Sequence, residues 1–259
     1  MAIVDSKITV IKACVTQTKT KGEQRRSITI GITAFCRGFV IIINGKLPYR
    51  PAFGNIPEEK RERVLNAAAV EFARLGFTAA NINVIAKKAE ISIGSMYNYF
   101  ESKEALFLTV GEKGYQIIED VLSKINLEDG DIYDKFEKMF QAVQTYARKY
   151  MEYNQIHLDM TSEGLSHLSS QLSKKMETIT AEYFRALLTE AIEQGIVDKN
   201  LDKHITAFCI DNLIITLQYS YTSRYFSERM KIFAGEDALD NDEKVIEGVM
   251  RFVRKALSP

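Results

Sequence analysis

Ser92, Ser95, Tyr97 and Lys103 are polar or amphipathic side chains at positions with no evident packing duty, and Tyr99 lies among them. A serine hydroxyl can bond a base edge or a phosphate oxygen, and a tyrosine can rest its ring on a protein surface while its hydroxyl meets phosphate. A lysine ammonium can clamp the sugar-phosphate backbone. The elements that must position them follow from spacing. Ile82, Ile85 and Ala86 fall on one helical face, with Asn83, Lys87 and Lys88 on the other. After a tight turn, Ser92 can cap a second helix by accepting from the backbone N–H of Gly94 or Ser95, beside amides that suit a phosphate oxygen. Gly94 and Ser95 keep the front of that helix slim enough for a major groove about 12 Å wide. Ser102 is a further N-cap, so a third helix starts next to Lys103. Residues 85–103 therefore read as a helix-turn-helix, and duplex DNA is the expected partner.

The stretch from about Glu58 to Phe107 resembles the DNA-binding domain of the TetR family of bacterial transcription regulators. The resemblance is carried by Ala68, Phe72 and Gly76-Phe77, then Ile85-Ala86, Ala89 and Ile91-Ser92, and finally Gly94-Ser95, Tyr97, Tyr99-Phe100 and Ser102-Lys103. Three positions depart from the family pattern. Glu90 stands where the turn glycine is usual, so a non-glycine residue must accept a left-handed conformation. Ala80 replaces a common threonine, leaving Asn81 as cap and phosphate contact. Ile93 stands where a cation is frequent and would offer a thymine methyl contact instead. With the resemblance, the expected DNA-facing set is Asn81, Asn83, Ser92, Ile93, Gly94, Ser95, Met96, Tyr97, Tyr99 and Lys103.

The 259 residues, 46% of them hydrophobic, suffice for one or two domains with a real core. The longest apolar run, Phe39 to Ile43, is far short of the roughly 20 residues of a membrane-spanning helix, so no membrane role is expected. Cys14, Cys36 and Cys209 are too few and scattered for a disulfide framework, which fits the cytoplasm, and Cys209 is expected to be a buried, inert thiol. Formal charge is zero overall, yet residues 1–56 hold nine Lys or Arg against two Asp or Glu. Residues 57–105 carry seven of each sign, so grip on DNA must come from placement: Glu58, Glu59, Glu62 and Glu71 away from the duplex, Lys87, Lys88 and Lys103 toward it.

Residues 1–56 read as a basic extension with strand-like alternation around Lys19, Lys21, Arg25 and Arg26. They are either an arm that follows the DNA backbone or upstream sequence translated from a misplaced start. Pro48, Pro51, Gly54 and Pro57 mark a linker, and residues 57–107 form the three-helix DNA-binding domain. Leu65, Ala68, Phe72 and Leu75 make one stripe of its first helix, closed by Gly76, and pack with Ile82, Ile85, Ile91, Met96 and Phe100. Residues 108–259 form a second, helical domain for ligand binding and dimerisation. The helix from Ser102 enters it with Gly111 and Gly114 inside, each costing about 1 kcal/mol of helix stability, for which close packing against a neighbouring helix is the expected reason. Ile132 to His157 reads as one long amphipathic helix, and Leu172, Met176, Ile179, Tyr183 and Leu187 mark another. A helix after Asp202 and the last helix, with Val245, Val249, Phe252 and Ala256, look like an intersubunit pair. The resemblance implies that they build a four-helix dimer interface placing two reading heads about 34–36 Å apart.

The resulting expectation is an all-α, homodimeric transcription factor, a repressor released by a largely apolar small-molecule effector. Tyr146, Tyr150, His157, Tyr183, Asn212 and Tyr219 are the candidate pocket lining. No cofactor or metal is expected. His157, His167 and His204 lack metal-ligand spacing, and no phosphate loop or nucleophile elbow occurs, which argues against an enzyme. The alternative is a ligand-binding or scaffolding protein whose DNA surface has degenerated, with Glu90 and Ile93 as its hints.

Overall fold

A computed structural model describes residues 47–124, 129–162 and 165–259. The strand-like and basic segments within residues 1–46, including Cys14 and Cys36, lie outside the described residues. So do the side chains of His167, Leu172, Met176 and Ile179. Among the described residues there are eleven helices and no strand.

The head is built from α1 (Pro51–Gly54), α2 (Glu58–Ala79), α3 (Ile82–Lys88) and α4 (Ile93–Tyr99). Pro57 precedes α2, Glu58 and Glu59 sit in its first turn where the helix dipole favours anions, and Val64, Leu65, Ala68 and Phe72 form its buried stripe. The helix breaks at Gly76, whose φ of 72° is the left-handed geometry that glycine adopts without steric cost. Leu75 is 39% exposed rather than part of the stripe, because the break turns the chain just after it. The turn at Pro51–Gly54 is not a bare linker. Phe53 is buried against Phe100, ring centroids 4.6 Å apart, and the Arg50 amide donates to the Tyr99 carbonyl at 2.9 Å. The packed head therefore begins before residue 57.

From the head, α5 (Lys103–Ser123) runs outward, with Ser102 accepting from the Ala105 amide at 3.2 Å. Beyond it lie α6 (Ile132–Lys149), α7 (Met151–Met160), α8 (Ser166–Glu193), α9 (Lys203–Ser220), α10 (Arg224–Ala234) and α11 (Asp242–Leu257). Two cores result. One joins the head to α5 and α7 through Phe72, Phe100, Phe107, Ile156 and Met160; the other joins α6, α8, α9 and α11 through Phe136, Phe140, Phe184, Leu188 and Val253.

The expected single helix over Ile132–His157 is two helices, broken at Tyr150 (φ −126°, ψ 49°). The physical reason is that Phe136 and Phe140 belong to one core and Tyr153, Ile156 and Met160 to the other, so a straight rod cannot serve both. The α5 glycines have the expected role. A Cβ at Gly111 would lie 2.9 Å from Met160 Sδ, and one at Gly114 would touch Tyr153 at 3.4 Å, so α5 and α7 meet almost backbone to side chain. Behind α7, Asn154 is fully buried and exchanges hydrogen bonds with Gln218 of α9.

One more expectation is corrected: Cys209 is exposed, because it lies on the outward side of α9. Glu71 is buried, its side chain 1% exposed and accepting from Lys88 Nζ at 2.9 Å and from Arg74 at 3.4 Å. The Lys88 hydrogen bond holds its carboxyl below the usual glutamate range against the opposing effect of burial. Stability from a depressed carboxyl is present above the unfolded value and is lost as pH falls through the folded one. Lys88→Ala should therefore cost about 1–3 kcal/mol at neutral pH by leaving a buried charge with a weaker partner. The deficit, measured by urea unfolding, should narrow as pH drops below the glutamate range.

Candidate DNA-reading surface and interior cavity

The turn between α3 and α4 closes around Glu90, which takes φ 56°. Arg63 Nε donates to the Ala89 carbonyl at 2.9 Å and the Ile91 amide to the Ala86 carbonyl at 3.0 Å, so neighbouring bonds hold the non-glycine turn. Asn81 caps α3 by accepting from the Asn83 amide at 2.8 Å, and Ser92 caps α4 by accepting from the Ser95 amide at 3.0 Å. Asn81, Asn83, Ser92, Ile93, Gly94 and Tyr97 are all exposed, Tyr97 to 52%, and Ser95 is partly so, its hydroxyl 2.9 Å from that of Ser92.

Three members of the expected set stand elsewhere. Met96 and Tyr99 are buried, at 1% and 6%, because they occupy the inward face of α4 against Ile85 and Phe53. Lys103 is not a free clamp. Its Nζ donates to the carbonyls of Thr78 at 2.9 Å and Ala80 at 3.3 Å and sits 4.8 Å from the Phe77 ring centroid, closing the end of α2 onto α5. Lys88 is engaged by Glu71, whereas Lys87 is exposed and forms no ion pair among the described residues. Asn98, outside the expected set, is exposed four residues after Gly94 and so shares its helical face.

In the outer half, a small cavity lies between α5 and α7, walled by Tyr115, Tyr146, Tyr153, His157 and Met160, with Gly111 and Gly114 at its base. Its volume is ≈ 200 Å³ including space open to solvent. Burial pushes the His157 pKa down to about 4, so the imidazole is neutral, 3.4 Å from both the Tyr219 hydroxyl and Gln218 Nε2. Burial likewise pushes the Tyr115, Tyr146 and Tyr153 hydroxyls well up. The Tyr146 hydroxyl is buried and has no hydrogen-bond partner among the described residues, an expensive arrangement unless something else meets it. The Tyr153 hydroxyl donates to Asn66 Oδ1 at 2.9 Å, reaching α2 of the head from the cavity wall.

Of the expected lining residues, Tyr146 and His157 wall the cavity and Tyr219 stands behind His157. Tyr150 lies tilted against Tyr146, ring centroids 5.7 Å apart, outside the lining. Tyr183 does not belong, since it packs in the second core beside Phe184. Asn212 does not either, since it is exposed and donates to the Phe208 carbonyl at 2.7 Å. Tyr115 and Tyr153, which complete the aromatic wall, were missed because they lie on two different helices whose meeting no spacing within one helix reveals.

Ile205 and Phe208 on α9 and Phe252 on α11 are large apolar side chains 61%, 65% and 62% exposed. No helix among the described residues is long and apolar enough to cross a membrane.

The capped α3–turn–α4 pair is a helix-turn-helix, set in a four-helix head that α5 joins to an all-helical body. Residues 64–110 match the family model for bacterial regulatory proteins of the tetR family. The chain is 30% identical over 168 residues to the uncharacterized HTH-type transcriptional regulator YdgC of Bacillus subtilis, covering 63% of this chain and 81% of that protein. Among solved structures, a TetR family regulator from Chloroflexus aurantiacus superposes with a TM-score of 0.60 at 19% identity, over 82% of this chain and 99% of that one. FadR from Bacillus subtilis in complex with stearoyl-CoA gives 0.55 at 20% identity, over 73% and 96%. The chain belongs to the TetR family and is a transcriptional regulator.

The exposed face of α4 yields a prediction. Ser95→Ala should change base preference in a binding-site selection, and Tyr97→Ala should weaken all sequences alike by about tenfold, roughly the loss of one good contact. Unaltered preference and affinity in both variants would place the reading surface elsewhere.

Proposed function

We propose that this chain is an effector-responsive repressor that binds a two-fold symmetric operator as a homodimer. Two α4 tips enter successive major grooves, each presenting Ile93, Gly94, Ser95, Tyr97 and Asn98. The outward apolar side chains of α9 and α11 supply the dimer contact, since three large side chains more than half exposed are costly to leave in water. The effector occupies the cavity between α5 and α7, and the fold resemblance to a FadR solved with stearoyl-CoA supports a ligand in this body.

The observation that carries the reading is the Tyr153–Asn66 hydrogen bond, because one side chain both walls the cavity and holds the DNA-binding head. An effector that moves Tyr153 must disturb α2. Coupling between such sites is typically worth 1–3 kcal/mol, enough to switch occupancy of an operator.

Genomic fragments retained by the purified protein should contain an inverted repeat, and gel shifts on that site should show a dimer bound. Retention no better than for random DNA would overturn the reading. Phe208→Glu should give a monomer by sedimentation and lower operator affinity by about 100-fold or more through lost bivalency. For the coupling, Tyr153→Phe and Asn66→Ala should each shift operator affinity, and the double variant should match either single one, the non-additivity expected of partners in one bond. Additive effects would show that the bond transmits nothing.

A further inference from the structure

The cavity between α5 and α7 offers a ligand no charge and one hydrogen bond. Among the described residues its lining holds no lysine, arginine, aspartate or glutamate. Its histidine is neutral: the Gln218 amide nitrogen can only donate, so His157 Nδ1 accepts from it and the ring proton stays on Nε2. Burial pushes the Tyr115, Tyr146 and Tyr153 hydroxyls up, so each remains protonated. The Tyr153 proton is committed to Asn66 Oδ1. Tyr146 differs. It reaches the wall from the last turn of α6, is 3% exposed, and its hydroxyl meets no partner among the described residues. The space enclosed by this wall admits little more than one water-sized group, and Ile118 and Met160 give it apolar sides.

A charged ligand would surrender its hydration and find no opposite charge in this lining, and a hydrocarbon would leave the Tyr146 hydroxyl without a bond. An uncharged group bearing an acceptor oxygen avoids both costs. We propose that the effector is a neutral molecule whose alcohol or ketone oxygen accepts a hydrogen bond from the buried Tyr146 hydroxyl, with its apolar body against Ile118 and Met160. This rests on the reading of the cavity as the effector site, and it sets the ligand apart from an acyl-CoA, whose phosphates would meet no cation in this lining.

The full-length protein, labelled at its methionine methyl groups, is titrated by NMR with two series of probes matched in shape, and the Met160 signal reports entry to the cavity. One series is benzyl alcohol, ethylbenzene, benzoate and benzylammonium. The other is cyclohexanone, methylcyclohexane, cyclohexanecarboxylate and cyclohexylammonium, with stearoyl-CoA as a separate ligand. At least one neutral oxygen-bearing probe should bind about tenfold more tightly than its hydrocarbon and than both its ions. Tyr146→Phe should erase the preference over the hydrocarbon while the melting temperature stays native or rises, since the lost hydroxyl had no bond to give up. Tyr150→Phe, outside the lining, should keep the preference. A melting temperature lowered by Tyr146→Phe would show a hydroxyl already satisfied within the fold and overturn the proposal. So would ions, hydrocarbons or stearoyl-CoA binding as tightly as the neutral oxygen-bearing probes, failure of every such probe to bind, or a preference that survives Tyr146→Phe. Gel shifts run alongside separate the two readings. A Tyr146-dependent preference that leaves operator affinity unchanged keeps the oxygen site and removes the effector-responsive function. Release of the operator by stearoyl-CoA alone does the reverse.

Discussion

The position of α7 is the constraint on which the rest of the molecule depends, because that ten-residue helix must lie against α5 and α2 at once. Its seat on α5 exists only because Gly111 and Gly114 present no side chain to Met160 and Tyr153. Its hold on α2 is the Tyr153 hydroxyl at Asn66, and its hold on α9 is the buried Asn154–Gln218 pair. A fully buried amide pair with both partners satisfied fixes one register, since sliding α7 would leave polar groups in an apolar interior without partners. The break at Tyr150 is what frees α7 to take this seat.

The head spends much of its cationic charge on itself. Lys88 neutralises the buried Glu71, Lys103 closes α2 onto α5, Lys113 pairs with Glu62 at 2.6 Å, and Arg63 pins the turn at Ala89. The Lys88 and Arg63 bonds tie α3 and the turn before α4 to α2, and the Lys103 and Lys113 bonds tie α2 to α5. They also leave fewer charges for phosphate, and affinity that comes from neutralised phosphates scales with the number of free cations. A head of this kind gains discrimination from geometry and from a second copy rather than from bulk attraction, in keeping with the equal count of acids and bases in residues 57–105.

Local patterns made the head legible. Caps at Asn81 and Ser92, the break at Gly76 and the left-handed Glu90 all follow from side-chain chemistry within a few residues. Errors arose where a decision is made across space. Met96 and Tyr99 are polarisable or amphipathic residues that a short helix can turn either way, and Phe53 from an upstream turn is among the residues that draw them inward. Lys103 reads as a free cation until the carbonyls of Thr78 and Ala80 arrive beside it from a helix twenty-odd residues away. The cavity is the extreme case, since Tyr115, Tyr146 and Tyr153 come from three helices and only their packing creates a wall.

The size of that cavity bears on how a signal would leave it. Its enclosed space holds little more than one water molecule, far below the roughly 300–1,000 Å³ of ordinary small-molecule sites, so a ligand of drug-like size fits only if α5 and α7 part. Parting them moves Tyr153, and losing its bond to Asn66 costs about 0.5–1.5 kcal/mol. That sum is smaller than a good ligand contributes, yet comparable to a typical coupling energy. A roomier preformed pocket could fill without moving a wall, and a ligand that binds both states equally shifts neither. On the proposed reading, tight closure around the two glycines is what obliges occupancy and displacement of the head to come together.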